Sequence, residues 1–307
     1  MHRKSQYNGI LALDVPIYNS CSNIHFFMIN KCLIAIVCLL LLPVIGWGQS
    51  EVTRRVSAEE MGYRGRVKTV QCTEFCNDAV HKFFRTTAEA YNEQGLRTDM
   101  SISDNLYQTN YHYEYDGSGQ LVYYVATFSD GEKDSIVFHY NNDGCLSGYE
   151  EYMLSADPTE GNSVTDFIVT CDTQCRVLMC TSVWYDTMRY DYDSVGRIRS
   201  MNGHGLPDGI KTFHYDKNGR LERIRMGAQY YEDSYYRYDA NGDTVETWQT
   251  NWERFEKEKG AHEVGEHKHF TFSEYDDHGN WKKADVRVVE NRKPHVNHVV
   301  RTITYYE

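Results

Sequence analysis

One short signature recurs along this chain and restricts what it can fold into. It reads aromatic residue, any residue, Tyr, Asp, two free positions, Gly, one free position, aliphatic residue. Its clearest copies are Tyr113 to Leu121 (YEYDGSGQL), Tyr190 to Ile198 (YDYDSVGRI) and Phe213 to Leu221 (FHYDKNGRL). The signature Tyr falls at Tyr115, Tyr140, Tyr192, Tyr215, Tyr238 and Tyr275, with Tyr91 in a weak first copy and Cys171 in a degenerate one (VTCDTQCRV). Successive steps are 24, 25, 31, 21, 23, 23 and 37 residues, a base period near 23 with two insertions, near 155–164 and 251–265. Periods of this size mark repeat architectures, in which each unit buries its apolar face on its neighbours.

Each letter of the signature has a mechanical reason. Asp opens a type I turn, where its carboxylate takes a backbone N–H, and Gly supplies the left-handed φ of a three-residue hairpin loop with a bulge. These roles fall to the pairs Asp116 and Gly119, Asp193 and Gly196, Asp216 and Gly219, Asp239 and Gly242, and Asp276 and Gly279. Residues two apart in a strand share a face, so the aromatic, the Tyr and the aliphatic form one ladder. Helix signals are nearly absent. The pattern predicts an all-β fold: tandem β-hairpins in an elongated, curved antiparallel sheet, with partial curling into an open barrel as its limit. Gly65 to Phe75 (GRVKTVQCTEF) reads as an entry strand and Val299 to Tyr306 (VVRTITYY) as an exit strand, both capping the array. An open layer of eight hairpins would leave an apolar face wet, so the sheet must curl on itself or pack on a partner.

Composition bounds the partners. A net charge of −12 disfavours nucleic acid and anionic membrane surfaces, both of which want a basic face. Lys31, the apolar run 32–45 and small residues before a cut at Gly48/Gln49 form a secretory signal peptide over 28–48. Met28 then reads as the start and residues 1–27 as an upstream extension. A short linker, 49–61, leads to one repeat domain, 62–307, with no membrane span in the mature chain. That mature chain keeps Cys72, Cys76, Cys145, Cys171, Cys175 and Cys180, an even number whose pairing is open in an exported protein. Cys171 and Cys175 flank one hairpin loop, and a bridge between them would replace the lost Tyr packing and Gly turn.

The signature Tyr residues read as ladder and the signature Asp residues as turn caps. The better candidates for a binding surface are off-signature aromatics: Trp184, Tyr185, Tyr230, Tyr231, Trp248, Trp252 and Trp281, with Trp248 and Trp252 beside the long insertion. His262, His267 and His269 cluster there too. His267-x-His269 on a strand puts both rings on one face, suited to zinc if a third ligand arrives, although a solvated loop is the plainer reading. No calcium loop, nucleophile elbow, Walker loop, zinc-protease motif or dinucleotide fingerprint is present in the sequence, which supports no cofactor and no catalytic residue.

Residues 190–198 and 213–221 resemble the YD repeat of RHS proteins, teneurins and bacterial toxin-complex shells. From about residue 62 onward, GRVKTV, EYDDHGNWKKADV and the ending RTITYY are similar to small exported YD-repeat proteins of Gram-negative bacteria. The resemblance implies a curved sheet with binding along it. Eight copies are too few to close an RHS container, and neither an autoprotease core nor a toxin domain is present in the sequence. The expectation is a non-catalytic binding or scaffolding module of the cell envelope, periplasmic or at the surface, for a protein or glycan partner. The alternatives are a toxin- or secretion-linked accessory and a glycan-active enzyme of unrecognised type.

Overall fold

The computed structural model describes residues 56–307 apart from 78–81, 157–161, 183–186, 204–205, 207–208, 228–231, 252–261 and 291–292. Every regular element in it is a strand. They are β1 (Val67–Asn77), β2 (Lys82–Tyr91), β3 (Arg97–Asp104), β4 (Gln108–Tyr115), β5 (Leu121–Phe128), β6 (Lys133–Tyr140), β7 (Leu146–Leu154), β8 (Ser163–Cys171) and β9 (Val177–Ser182). There follow β10 (Met188–Tyr192), β11 (Ile198–Asn202), β12 (Ile210–Tyr215), β13 (Leu221–Met226), β14 (Glu232–Tyr238), β15 (Thr244–Asn251), β16 (His262–Tyr275), β17 (Trp281–Glu290) and β18 (Lys293–Tyr305). Each strand pairs antiparallel with the next, and β18 pairs antiparallel with β1, from Val67 opposite Tyr305 to Phe75 opposite His298. The sheet is therefore a closed 18-stranded barrel. Closure goes beyond the partial curl expected from the sequence, and the entry and exit strands do not cap the array. They meet each other and remove both edges. Part of the second insertion is strand as well: Asn251 ends β15, and residues 262–265 belong to β16.

The eight signature turns lie on one rim, and their local chemistry repeats closely. In the copy at Asp216, the carboxylate Oδ1 accepts the N–H groups of Asn218 (2.8 Å) and Arg220 (2.9 Å). Gly219, at φ +84°, donates its N–H to the Asp216 carbonyl. One residue then bulges: His214 faces Arg223, whereas Tyr215 faces Leu221. The same register shift falls at Tyr91, Tyr115, Tyr140, Cys171, Tyr192 and Tyr238.

The bulge gives the signature Tyr a second task. Its hydroxyl donates to the carbonyl of the residue that sits opposite the signature position in the preceding repeat. Tyr115 reaches Arg97 O (2.7 Å), Tyr140 reaches Leu121 O, Tyr192 reaches Val177 O, Tyr215 reaches Ile198 O and Tyr238 reaches Leu221 O (2.8 Å each). In the degenerate copy the Cys171 thiol makes the same bond to Leu146 O at 3.3 Å. At the seam a guanidinium substitutes, Arg301 Nε donating to Trp281 O at 3.0 Å. Arg176, Arg197 and Arg220 add a clamp. Each pairs with the Asp of its own turn and lies over the Tyr of the next, at 5.2, 4.3 and 4.7 Å from the ring centroid. The copy at Tyr275 departs from this plan. Glu274 takes a left-handed φ of +55°, the register stays even, and the Tyr275 side chain is exposed.

Strand alternation turns one face inward and buries it. On β8, Thr165, Phe167 and Val169 are buried, while Val164, Asp166, Ile168 and Thr170 are exposed. Leu121, Ile198 and Leu221, the signature aliphatics, are 0–1% exposed and join Tyr113, Tyr124, Phe138, Phe167 and Phe213 in one continuous cluster. Away from the signature rim the inward face becomes polar: Glu74 and Arg85 are buried, and Asn297 donates to Glu74 at 2.8 Å. Outward positions carry charge, as on β17, where Lys283, Asp285 and Arg287 are exposed.

The disulfide differs from the expected Cys171–Cys175 bridge. Cys175 bonds Cys145, with Cα atoms 4.8 Å apart, and among the described residues Cys171, Cys72, Cys76 and Cys180 form no disulfide. The reason lies in the stacking of the turns. Cys145 occupies the place of the clamp Arg in its own turn, and Cys175, at φ +61°, occupies the Gly place of the next turn. The bridge is thus a covalent staple between neighbouring turns. Cys171 is already engaged with Leu146 O.

Three outcomes follow from this architecture. Tyr215→Phe strands a carbonyl at the bulge and should cost about 1–2 kcal/mol in urea unfolding, whereas Tyr275→Phe should stay within about 0.5 kcal/mol. Burial, helped by Cys171 and Asp172, pushes the Tyr192 hydroxyl up to about 12. Its folded pKa therefore exceeds the free value, so its contribution is complete below about pH 10. Near-ultraviolet circular dichroism should show that contribution lost as the pH rises towards 12. Alkylation of the oxidised, unfolded protein should spare Cys145 and Cys175 and label Cys72, Cys76, Cys171 and Cys180. Cys145→Ser should then lower stability by about 2–4 kcal/mol.

Candidate binding cleft

The bulge sets the outward register of β12 to β15 so that four side chains face one another across four strands. His214 lies opposite Arg223, Arg223 opposite Tyr235, and Tyr235 opposite Trp248. Tyr235 and Trp248 stack nearly parallel, with ring centroids 4.9 Å and planes 5° apart. Below them Arg225 makes a two-pronged bond to Asp233 at 2.8 Å per arm, and the Tyr235 hydroxyl donates to the same carboxylate at 3.2 Å. Asp233, 1% exposed, is a buried anchor that fixes the tilt of the Tyr235 ring.

On the near side of Tyr235 opens a surface cleft of about 620 Å³, lined among others by Arg197, Arg199, His214, Arg223 and Tyr235. Two of its cations are neutralised by carboxylates: Arg197 by Asp193 and Arg199 by Asp191. Arg223 instead donates Nη2 to the His214 ring at 2.9 Å. Burial, with the charges of Arg223 and Arg225, holds His214 below its ordinary pKa, so at neutral pH its Nε2 is an acceptor. The cleft therefore presents an aromatic wall and a guanidinium bonded to a neutral ring, with the Glu222 carboxylate also in its lining. Asp193, which also lines it, is held below the usual carboxylate range. Its desolvation is outweighed by N–H groups from Arg197 and Val195 and by the Arg197 side chain.

Of the aromatic residues singled out from sequence, the structure brings only Trp248 to this surface. Trp281 corrects the expectation of a binding residue. It is 2% exposed, stacks on Phe272 at 5.2 Å and lies under the Arg301 guanidinium at 3.6 Å, because its strand position points into the barrel. Trp184, Tyr185, Tyr230, Tyr231 and Trp252 fall outside the described residues. Of the turn residues, Asp193 lines the cleft. Asp116, Asp193, Asp239 and Asp276 each accept two backbone N–H groups through Oδ1. Gly119, Gly196, Gly242 and Gly279 donate to the carbonyls of those same aspartates. Sequence reasoning missed Arg223, His214 and Tyr235. Only the register across two bulges aligns them, although their period-2 placement with Trp248 was a visible signal.

No family model matches the chain, and no curated protein does. Among solved structures, a porin-like protein from Bacteroides uniformis aligns over 79% of this chain and 99% of its own, at 12% identity and TM-score 0.42. A TcdB2-TccC3-Cdc42 complex aligns over 68% of this chain at 11% identity and TM-score 0.27, and the chain spans 14% of that protein. The Tc holotoxin pore of Photorhabdus luminescens aligns over 69% at 10% identity and TM-score 0.27, with 15% of that protein covered.

Proposed function

We propose that this chain is an exported YD-repeat barrel of the bacterial cell envelope that binds, without catalysis, a carboxylated glycan in the cleft between β11 and β14. The observation that carries the reading is the pairing of the Tyr235 wall with the Arg223 guanidinium. A sugar ring offers C–H groups to an aromatic face, and a uronate carboxylate matches the fork of an Arg whose present acceptor is a neutral imidazole. The acidic surplus of the whole chain opposes this little. At physiological salt, charges beyond about 8 Å are screened, and at the cleft itself Arg197, Arg199 and Arg223 are balanced by Asp193, Asp191 and Glu222, so the reading rests on the placement of the Arg223 fork and not on net charge. The outward Lys283, Asp285 and Arg287 support a barrel that meets water, since a cation on a lipid-facing strand costs about 2–4 kcal/mol at the bilayer midplane. The non-catalytic reading is supported by Asp193. A general acid needs a raised pKa, and this carboxylate is lowered and fully engaged in its turn.

Titration calorimetry of the purified protein with oligogalacturonate and with a neutral oligosaccharide of equal length tests the reading. The expected result is micromolar to millimolar binding of the uronate alone. Tyr235→Ala and Arg223→Ala should each weaken it about tenfold or more, with unchanged circular dichroism. Equal affinity for the neutral sugar, no binding of either, or indifference to both substitutions would overturn it.

A further inference from the structure

On the far side of Trp248 the outward face gathers a second group of side chains. β15 brings Glu246 directly opposite His269 of β16, and His267 projects to the same side two residues earlier. An irregularity sets them there. Thr247 faces Lys268 while Gln249 faces Val264, so β16 carries extra residues beside Trp248 and His267 lies within that bulge. Bulges re-aim side chains in this way beside functional sites. Glu246 Oε1 lies 2.8 Å from His267 Nε2 and 3.4 Å from His269 Nδ1, and one ligand atom from each residue falls within 4.8 Å of the others. The two imidazoles stack at 4.3 Å.

From this geometry we infer a transition-metal site, Glu246–His267–His269, suited to Zn²⁺. Two imidazole nitrogens and one carboxylate oxygen form a donor set that zinc takes up in tetrahedral sites, at about 2.0–2.2 Å from the ion. Such bonds place neighbouring ligand atoms about 3.3 Å apart. The His269 separation already has that spacing, and the His267 contact needs to open by only about half an ångström. The carboxylate is held in place. Arg237 Nη1 pairs with Oε2 at 2.6 Å, which leaves Oε1 turned towards the imidazoles, and Glu246 is itself buried. A hydrogen-bonded ligating carboxylate is the outer-shell support that metal sites use. Trp248 closes one side, 5.8 Å from the His267 ring, and the half-exposed His269 leaves the remaining position open to water.

Titration of the purified, chelator-treated protein with Zn²⁺ at pH 7.5 should give one site of micromolar affinity or better. His267→Ala and His269→Ala should each weaken it at least tenfold, and the double variant should abolish it. His139→Ala, which removes an exposed His paired with Glu150 on distant strands, should leave the affinity unchanged. Cu²⁺ should quench part of the tryptophan emission, and Trp248→Phe should remove that part. Circular dichroism verifies that each variant is folded. Binding of Zn²⁺ that survives the double variant, or no saturable binding by the unsubstituted protein, would overturn the assignment. The result is independent of the glycan cleft, because neither Arg223 nor Tyr235 is altered.

Discussion

The barrel depends on a hydrogen bond between a phenol and a backbone carbonyl one repeat away. A hairpin bulge leaves a carbonyl out of its ladder, and an inward face has no water to satisfy it. The signature Tyr answers both demands, packing its ring with the core and sending its hydroxyl to the preceding bulge. A single bond of this kind contributes only about 1 kcal/mol. Repetition along the rim makes it a rule of assembly, because each hairpin completes the polar accounting of the one before it. The Cys171 thiol and the Arg301 guanidinium show that the carbonyl is the fixed element and the donor is exchangeable.

Much of this was legible in the sequence. The recurring signature, with Asp-x-x-Gly in five copies and variants in the other three, located the eight turns, and the spacing of aromatic and aliphatic residues identified the inward face, because turn chemistry and strand alternation are local. Closure was not legible. Whether a curved sheet stays open or meets itself depends on accumulated twist and strand number, and GRVKTV and RTITYY carry no mark that they pair. The disulfide failed for a related reason. Cys171 and Cys175 are neighbours in sequence, whereas Cys145 and Cys175 become neighbours only when successive turns stack on one rim. Trp281 was different: it stands at the aliphatic place of the Tyr275 copy, opposite Tyr275 as Leu221 stands opposite Tyr215, so its inward register was legible and an aromatic there was misread as surface.

The surface features divide in the same way. His267-x-His269 was visible as a pair, and its third partner was not, because Glu246 arrives across a ladder whose register shifts at Trp248. The cleft is a product of register as well. His214, Arg223, Tyr235 and Trp248 lie at successive steps of 9, 12 and 13 residues in the chain, and the bulge at Tyr215 brings the first pair into line. A repeat architecture thus writes its scaffold in the signature positions. What distinguishes one outer face from another is written between them, where sequence periodicity is silent.

The pairing of β1 with β18 also bears on how such a molecule comes to exist. The first and last strands are separated by nearly the whole chain, so the contact that completes the ring is the one with the greatest loop to close. Hairpins can zip in order from local turns, but until the final strand docks, two long edges stay unpaired, with Phe75 on one and Val296 and Val300 on the other. Unpaired edges recruit strands from other molecules. During synthesis the N-terminal strand must wait for the C-terminal one, and an intermediate lacking β18 is a template for strand exchange between copies. Speed of completion, more than depth of the final energy well, then decides how much protein escapes aggregation.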